Sequence, residues 1–336
     1  MPEGDTIYRA ARALQKAIGG KVVAAFETGL AKLASVNDDS PLVGRTVERV
    51  EARGKWLLIY FSGDLILVTH MLMSGSWHIY RPGEKWWMAR SKMRVAITVA
   101  GAEERRFPTG MTNKEGMTSE EKDRVGDTVS IPPGGGYVAV AFNVPIADFH
   151  TARSLERSSQ VPKLGVDVLS EEYTVEAGVK AMREYGAAHP DAEIAVVLLN
   201  QRVLAGLGNV YKSEVAFAAG VNPFRQMSTI TAREMEVMAE FAQKYMRANV
   251  VDGKGDGIVT YAGHRRTTHE MDGNNRLWVY GRQGEECRRC GAAIMMRKQG
   301  SAVRSTYWCP SCQPWVAAEG QSEVAPVGGQ VTVRRK

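Results

Sequence analysis

Cysteine is scarce in this chain and confined to one stretch. Only four occur in 336 residues, and none lies outside 287–312. That excludes a disulfide framework spread through the fold and fits a reducing compartment. Long apolar runs are missing too. Nothing approaches the roughly 20 residues a bilayer-spanning helix needs, so no membrane association is expected. Residues 1–20 carry Glu3, Asp5, Arg9, Arg12 and Lys16. Those charges leave no apolar core for a secretory signal, and the expected location is cytoplasmic. No internal repeat is present. A chain of this length has room for about two or three domains.

What is there begins with charge. The 43 basic residues outnumber the 37 acidic ones, for a formal net charge of +6. A mild basic excess favours a polyanionic partner without requiring one. The four cysteines read Cys-x2-Cys-x18-Cys-x2-Cys, as Cys287, Cys290, Cys309 and Cys312. That spacing is the signature of a zinc site. Four thiolates suit one tetrahedral Zn²⁺ with no open position, so the expected metal is structural. Arg297, Lys298, Arg304, Tyr307 and Trp308 lie between the pairs. Two strands there would form a hairpin with Arg304 at its tip, where a guanidinium can meet phosphate or a groove. Taken alone, these residues leave a plain fold staple and a nucleic-acid contact both open.

The elements predict an α+β, multidomain chain. Thr6 is placed to cap a first helix whose Ile7, Ala10, Ala11, Leu14 and Ile18 share a face, and Gly19-Gly20 stops it. From Lys21 to Val99 the pattern is β, with strands expected at 46–51, 56–61, 65–69 and 93–99. Short strands with turn signals suggest a sandwich or barrel. Residues 101–136, rich in Gly, Pro, Thr and charge, predict a mobile insertion before the β pattern resumes at Tyr137. Helix is expected over 191–203 and 210–219, broken by Gly206-Leu207-Gly208-Asn209. A capping box, Thr231-Ala232-Arg233-Glu234, opens a long helix to about Ala248. Residues 252–277 predict a Gly-rich basic loop. The implied domains are an amino-terminal β domain over 2–152, a helical domain over 153–275, a zinc ribbon over 276–313 and a disordered basic tail over 314–336.

Several residues could carry chemistry, each with a plainer reading beside it. Pro2 is small, so Met1 is expected to be removed, which would free a secondary amine. An unperturbed α-amino group titrates near about 7.7–8.0, so part of it is neutral at physiological pH. Such an amine attacking a sugar carbon would give a permanently charged iminium, an electron sink. Glu3 beside it could move protons. Most Met-Pro-Glu starts are inert, however. Gly206–Asn209 would let backbone approach a ligand, with free N–H groups of the next helix as an anion site. The plain alternative is an ordinary turn capped by Asn209. Lys55, His70, Met71 and Met73 read individually as a turn lysine, a structural histidine and core methionines.

In order along the chain stand Met1-Pro2-Glu3-Gly4-Asp5-Thr6, Arg53-Gly54-Lys55, His70-Met71-Leu72-Met73-Ser74-Gly75, Leu164-Gly165-Val166-Asp167, Ala205-Gly206-Leu207-Gly208-Asn209-Val210-Tyr211 and the four-cysteine ribbon. This ordered set resembles the formamidopyrimidine-DNA glycosylase and endonuclease VIII family of base-excision repair, over residues 2–313 without the insertion. The resemblance implies a bifunctional DNA glycosylase and AP lyase, monomeric, working on damaged double-stranded DNA in the bacterial cytosol or nucleoid. It implies an amino-terminal β-sandwich with its helix, a helix-two-turn-helix domain and a zinc finger holding one structural Zn²⁺. Carried over by motif, Pro2 is the nucleophile, Glu3 the acid/base and Lys55 an essential lysine near the site and a phosphate. His70, Asn209 and Arg304 match phosphate contacts. Met73 matches the residue that fills the gap left by an extruded base.

Pro2-Glu3-Gly4 resembles the endonuclease VIII branch, and the purine branch's Asp-x-Arg-x-Phe-Gly loop is replaced by Phe142-Asn143-Val144-Pro145-Ile146-Ala147-Asp148-Phe149. Both signs imply oxidised pyrimidines such as thymine glycol, dihydrouracil and 5-hydroxycytosine. Two positions depart. Thr6 stands where many members carry Glu, and Leu72-Met73-Ser74 is closer to the purine branch. A purine-directed glycosylase and a non-catalytic damaged-DNA-binding module are the alternatives.

Overall fold

The structure, a computed structural model, describes residues 2–100, 136–159, 161, 163–251 and 276–317. The expected insertion 101–136, the loop 252–277 and the tail 314–336 lie outside these residues, apart from Gly136, Arg276-Leu277 and 314–317. The chain divides into two compact units. One comprises Met1–Pro2, Ala10–Glu51 and Trp56–Arg157; the other comprises Glu3–Arg9, Ala52–Lys55 and Ser158–Lys336.

The first unit is a β-sandwich. In chain order it carries most of helix α1 (Gly4–Ile18), strand β1 (Val23–Thr28), helix α2 (Ala31–Asp39), and strands β2 (Val47–Arg53), β3 (Trp56–Phe61), β4 (Leu65–His70), β5 (Ser76–Tyr80), β6 (Met93–Val99), β7 (Tyr137–Phe142) and β8 (Ile146–His150), then a short α3 (Ala152–Glu156). Two four-stranded sheets result, ordered β1-β6-β7-β5 and β2-β3-β4-β8. Strands β3 and β4 are almost continuously apolar because both faces are covered; Leu57, Leu58, Ile59 and Leu67 are wholly buried. The helix predicted to start at a Thr6 cap starts earlier. The Glu3 carbonyl accepts from both Thr6 N and Ile7 N, so Glu3 is the capping residue and Thr6 lies inside the first turn. Helix α2 carries no strong periodic signal and was not anticipated within the β pattern.

The second unit is helical. It contains β9 (Val166–Asp167), α4 (Val175–Ala188), α5 (Ile194–Leu199), β10 (Leu204–Ala205), α6 (Asn209–Ala218), α7 (Ala232–Val251), and the hairpin β11 (Met295–Gln299) and β12 (Arg304–Trp308). Its core gathers Met182, Leu198, Leu207, Tyr211, Val215, Met238 and Met246. The Thr231 capping box forms: Glu234 N donates to Thr231 Oγ1 at 3.2 Å, and Thr231 N to Glu234 Oε2 at 2.8 Å. The helix predicted over 191–203 is shorter. It stops at Leu199 because Gln201 turns the chain, its amide donating to the Leu199 and Leu207 carbonyls and its carbonyl accepting from Gly206 N. Leu204-Ala205 then pairs in parallel with Val166-Asp167.

Candidate active site

Glu3 occupies two termini at once. Its backbone carbonyl opens α1, and its side chain reaches the amino end of α6, 207 residues further on. There Val210 N donates to Oε1 at 2.8 Å and Tyr211 N to Oε2 at 3.4 Å. The anion site expected at this helix end exists, and the Glu3 carboxylate fills it, as the positive pole of a helix favours. Gly208 makes room: a Cβ there would lie 2.2 Å from Glu3 Cδ. Gly4 N donates to the Gly206 carbonyl at 2.9 Å, which pins the segment from its other side.

The electrostatics of this carboxyl are set by opposing effects. Glu3 has no solvent exposure, and burial raises its affinity for a proton above the ordinary glutamate value. The Lys55 ammonium and the two α6 amides pull the other way, while the Asp5 carboxyl adds to the rise. The net shift is upward. Lys55 moves downward, chiefly by burial and also by repulsion from Arg304, with attraction from Glu3 opposing both. Burial thus moves the two proton affinities toward each other.

Lys55 is held by its turn. Gly54 sits in the left-handed region at φ 57°, and its N–H donates to Asp167 Oδ2 at 2.7 Å. The other Asp167 oxygen accepts from Leu169 N at 3.0 Å. Asp167 therefore couples the Lys55 turn to β9, a role the Leu164–Asp167 motif did not disclose by itself.

Asn209, at the start of α6, is buried and donates through Nδ2 to the Tyr280 hydroxyl at 3.3 Å. The zinc hairpin packs on the same helix. Tyr307 N donates to Ser213 Oγ at 3.4 Å, and buried Glu214 accepts from the amides of Trp278, Val279 and Tyr280 at 2.8, 3.0 and 2.9 Å. Arg304 opens β12, paired with Gln299 across the turn Gly300–Val303. It flanks the hairpin tip rather than occupying it, and its charge is felt at Lys55.

The four cysteine sulfurs lie within 4.8 Å of one another, with Cys287–Cys312 at 3.9 Å and Cys290–Cys309 at 3.5 Å. Sulfurs about 2.3 Å from a tetrahedral zinc stand about 3.8 Å apart, so the set fits one Zn²⁺. Amides of Arg289 and Cys312 donate to Cys287 and Cys309 sulfur at 3.4 Å, which suits thiolates.

Glu3, Lys55, Asn209 and Arg304 thus belong to one unit. Pro2, covalently next to Glu3, is half-buried and groups with the sandwich. His70 and Met73 also belong to the sandwich. His70 Nδ1 accepts from Leu72 N at 3.0 Å, and its ring meets Trp56 edge-on at 4.8 Å. Met73 is 63% exposed in a turn where Leu72 takes φ 46°. The sequence motifs contain Asp5, Asp167 and Tyr211 without giving them a role, and Lys212 falls outside those motifs. Buried charge on α6 left no separate trace in the pattern.

The architecture is thus a sandwich, a helical unit with a glycine-broken pair of helices, and a four-cysteine hairpin. Residues 1–109 match the formamidopyrimidine-DNA glycosylase N-terminal domain, 164–260 its H2TH domain, and 284–314 the zinc finger found in FPG and IleRS. The chain is 33% identical to the probable endonuclease 8 2 of Streptomyces coelicolor, over 97% of this chain and 99% of that one. It is 30% identical to the DNA-(apurinic or apyrimidinic site) lyase Nei2 of Mycolicibacterium smegmatis, over 93% and 99%. A complex of Lactococcus lactis Fpg with abasic-site DNA shares the fold at TM-score 0.67 and 19% identity, over 94% and 100%. The chain belongs to the formamidopyrimidine-DNA glycosylase and endonuclease VIII family.

Proposed function

We propose that this chain is a bifunctional DNA glycosylase and AP lyase of the endonuclease VIII branch, which excises oxidised pyrimidines from duplex DNA. The observation that carries the reading is the Glu3 carboxyl, directly after Pro2, seated on the α6 amino terminus beside Lys55 with its proton affinity raised. Pro2 nitrogen attacks C1′ of the damaged nucleoside and the base departs with the bonding electrons and a proton. Glu3, in its protonated form, gives its proton to the sugar ring oxygen as the C1′–O4′ bond breaks, leaving an iminium. Loss of a C2′ proton expels the 3′ phosphate, and loss of a C4′ proton expels the 5′ phosphate. Water then hydrolyses the iminium and restores the amine.

Lys55, Asn209 and Arg304 act as phosphate contacts, and His70 serves the same purpose on the sandwich. Extruding a base costs a few kcal/mol. An exposed, unbranched Met73 is suited to fill the gap. The enzyme acts as a monomer. The branch assignment is supported by Pro2-Glu3-Gly4 and by the names of the relatives above. The Leu72-Met73-Ser74 triplet favours a second reading, a purine-directed enzyme.

Borohydride with an AP-site duplex tests the chemistry. A covalent adduct is expected, and it should vanish with Pro2→Gly; equal trapping by that variant would refute the nucleophile. A panel of duplexes carrying thymine glycol, 5-hydroxycytosine, 8-oxoguanine and formamidopyrimidine, with product ends resolved, decides the branch.

A further inference from the structure

Lys212 is among the largest wholly buried side chains in the molecule, at 1% exposure. It lies on α6, one turn beyond Asn209, so both point from the same face of that helix. None of the motifs described above assigns it a role. A buried ammonium is expensive unless an anion compensates it. The charged groups that face it are Glu3 ahead of α1, Glu193 ahead of α5, and Arg304 at the start of β12.

Neither carboxylate is available to Lys212 alone. Glu3 already accepts from Val210 N and Tyr211 N and is attracted to Lys55. Glu193 accepts from Gln299 Nε2 at 2.8 Å and lies 3.8 Å from Arg297. The third neighbour, Arg304, is a like charge. Lys212 and Lys55 thus share Glu3, and Arg304 repels both. Among the described residues, both carboxylates that face Lys212 are already engaged.

The structure assigns Lys212, we infer, to the phosphate clamp: it is a third cation, with Lys55 and Arg304, for one backbone phosphodiester of the bound DNA. The assignment rests on the proposed DNA function and adds a binding residue to it. Burial first, and Arg304 second, bring the Lys212 ammonium down to a pKa of about 8, so it is charged at neutral pH and loses its proton just above. A phosphodiester arriving there would favour the charged form. Affinity for DNA should then decline as pH rises through about 8.

The test uses the full-length protein and a duplex containing a tetrahydrofuran abasic analogue. Lys212→Met, of similar length and uncharged, should bind about tenfold more weakly, with a salt slope shallower by about one unit. It should lose the decline above pH 8 seen in the wild type. Its melting temperature should hold or rise, because an uncompensated buried charge has gone. Lys212→Arg should keep the slope. An unchanged slope in Lys212→Met, or a fall in melting temperature with the slope intact, makes Lys212 a structural residue and overturns the inference. Should Lys212→Met not fold, wild-type affinity that stays flat from pH 7 to 9 overturns it equally. At saturating AP-site DNA, the wild-type protein should be trapped by borohydride. A wild-type protein that fails to trap would sink the enzymatic reading and leave the slope measurement standing.

Discussion

Glu3 carries a conflict between its burial and its partners. A carboxylate with no exposure is stabilised by two helix amides and by Lys55, yet burial outweighs them and its proton affinity rises. The sign for stability follows. A carboxyl whose folded pKa lies above its unfolded value supports folding fully below the unfolded value, and that support is lost as pH rises through the folded one. Wherever Glu3 is ionised, its burial is a net cost. Glu3→Gln keeps a carbonyl for the Val210 amide and removes the charge. It should abolish turnover while raising the melting temperature by about 2 °C or more at neutral pH. The gain should shrink below the unfolded glutamate pKa. A lower melting temperature at neutral pH, followed by calorimetry across pH, would contradict this account.

Helix α6 is the element on which the site converges. Its first turn receives Glu3, Asn209 and Lys212 project from it, Ser213 accepts from the zinc hairpin, and Glu214 gathers three amides of the 278–280 segment. The segment after the hairpin is further tied to the chain after α6 by buried Gln313, whose amide donates to the Val221 carbonyl at 2.7 Å. Stripping zinc with a chelator should release the hairpin and with it Arg304. DNA binding should weaken by at least about tenfold, the loss of one strong phosphate contact or more, and recover on adding Zn²⁺. The sandwich signal in circular dichroism should persist. Much of this element's setting was legible in sequence. The cysteine spacing gave the hairpin, and the glycines gave the break before α6. The arrival of Glu3 at the helix end was not legible, because nothing local in Met-Pro-Glu records a partner 207 residues away. Lys212 was hidden for a related reason: a lysine within Val210–Ala218 reads as a solvent-facing residue until its burial is known.

At the scale of the whole molecule, the division of the chain departs from simple sequence order. Glu3–Arg9 and Ala52–Lys55 group with the carboxy-terminal residues, although the strands and helix that continue them belong to the sandwich. Glu3 and the Gly54-Lys55 turn are therefore positioned by elements formed more than a hundred residues later. Asp167 is the clearest of these links, since its carboxylate, 113 residues beyond Gly54, accepts from both Gly54 N and Leu169 N. Hydrogen bonds to a charged acceptor contribute roughly 1.5–3 kcal/mol each when one partner is removed. Asp167→Ala should lower stability to urea by about 2 kcal/mol or more. It should also let Lys55 wander, reducing single-turnover cleavage of an AP-site duplex about tenfold through misplacement of a phosphate contact. Asp167→Asn keeps one acceptor oxygen and should fall between the two. If Asp167→Ala lost stability with cleavage unaltered, the carboxylate would be a fold staple only, and Lys55 would owe its position to the left-handed turn at Gly54.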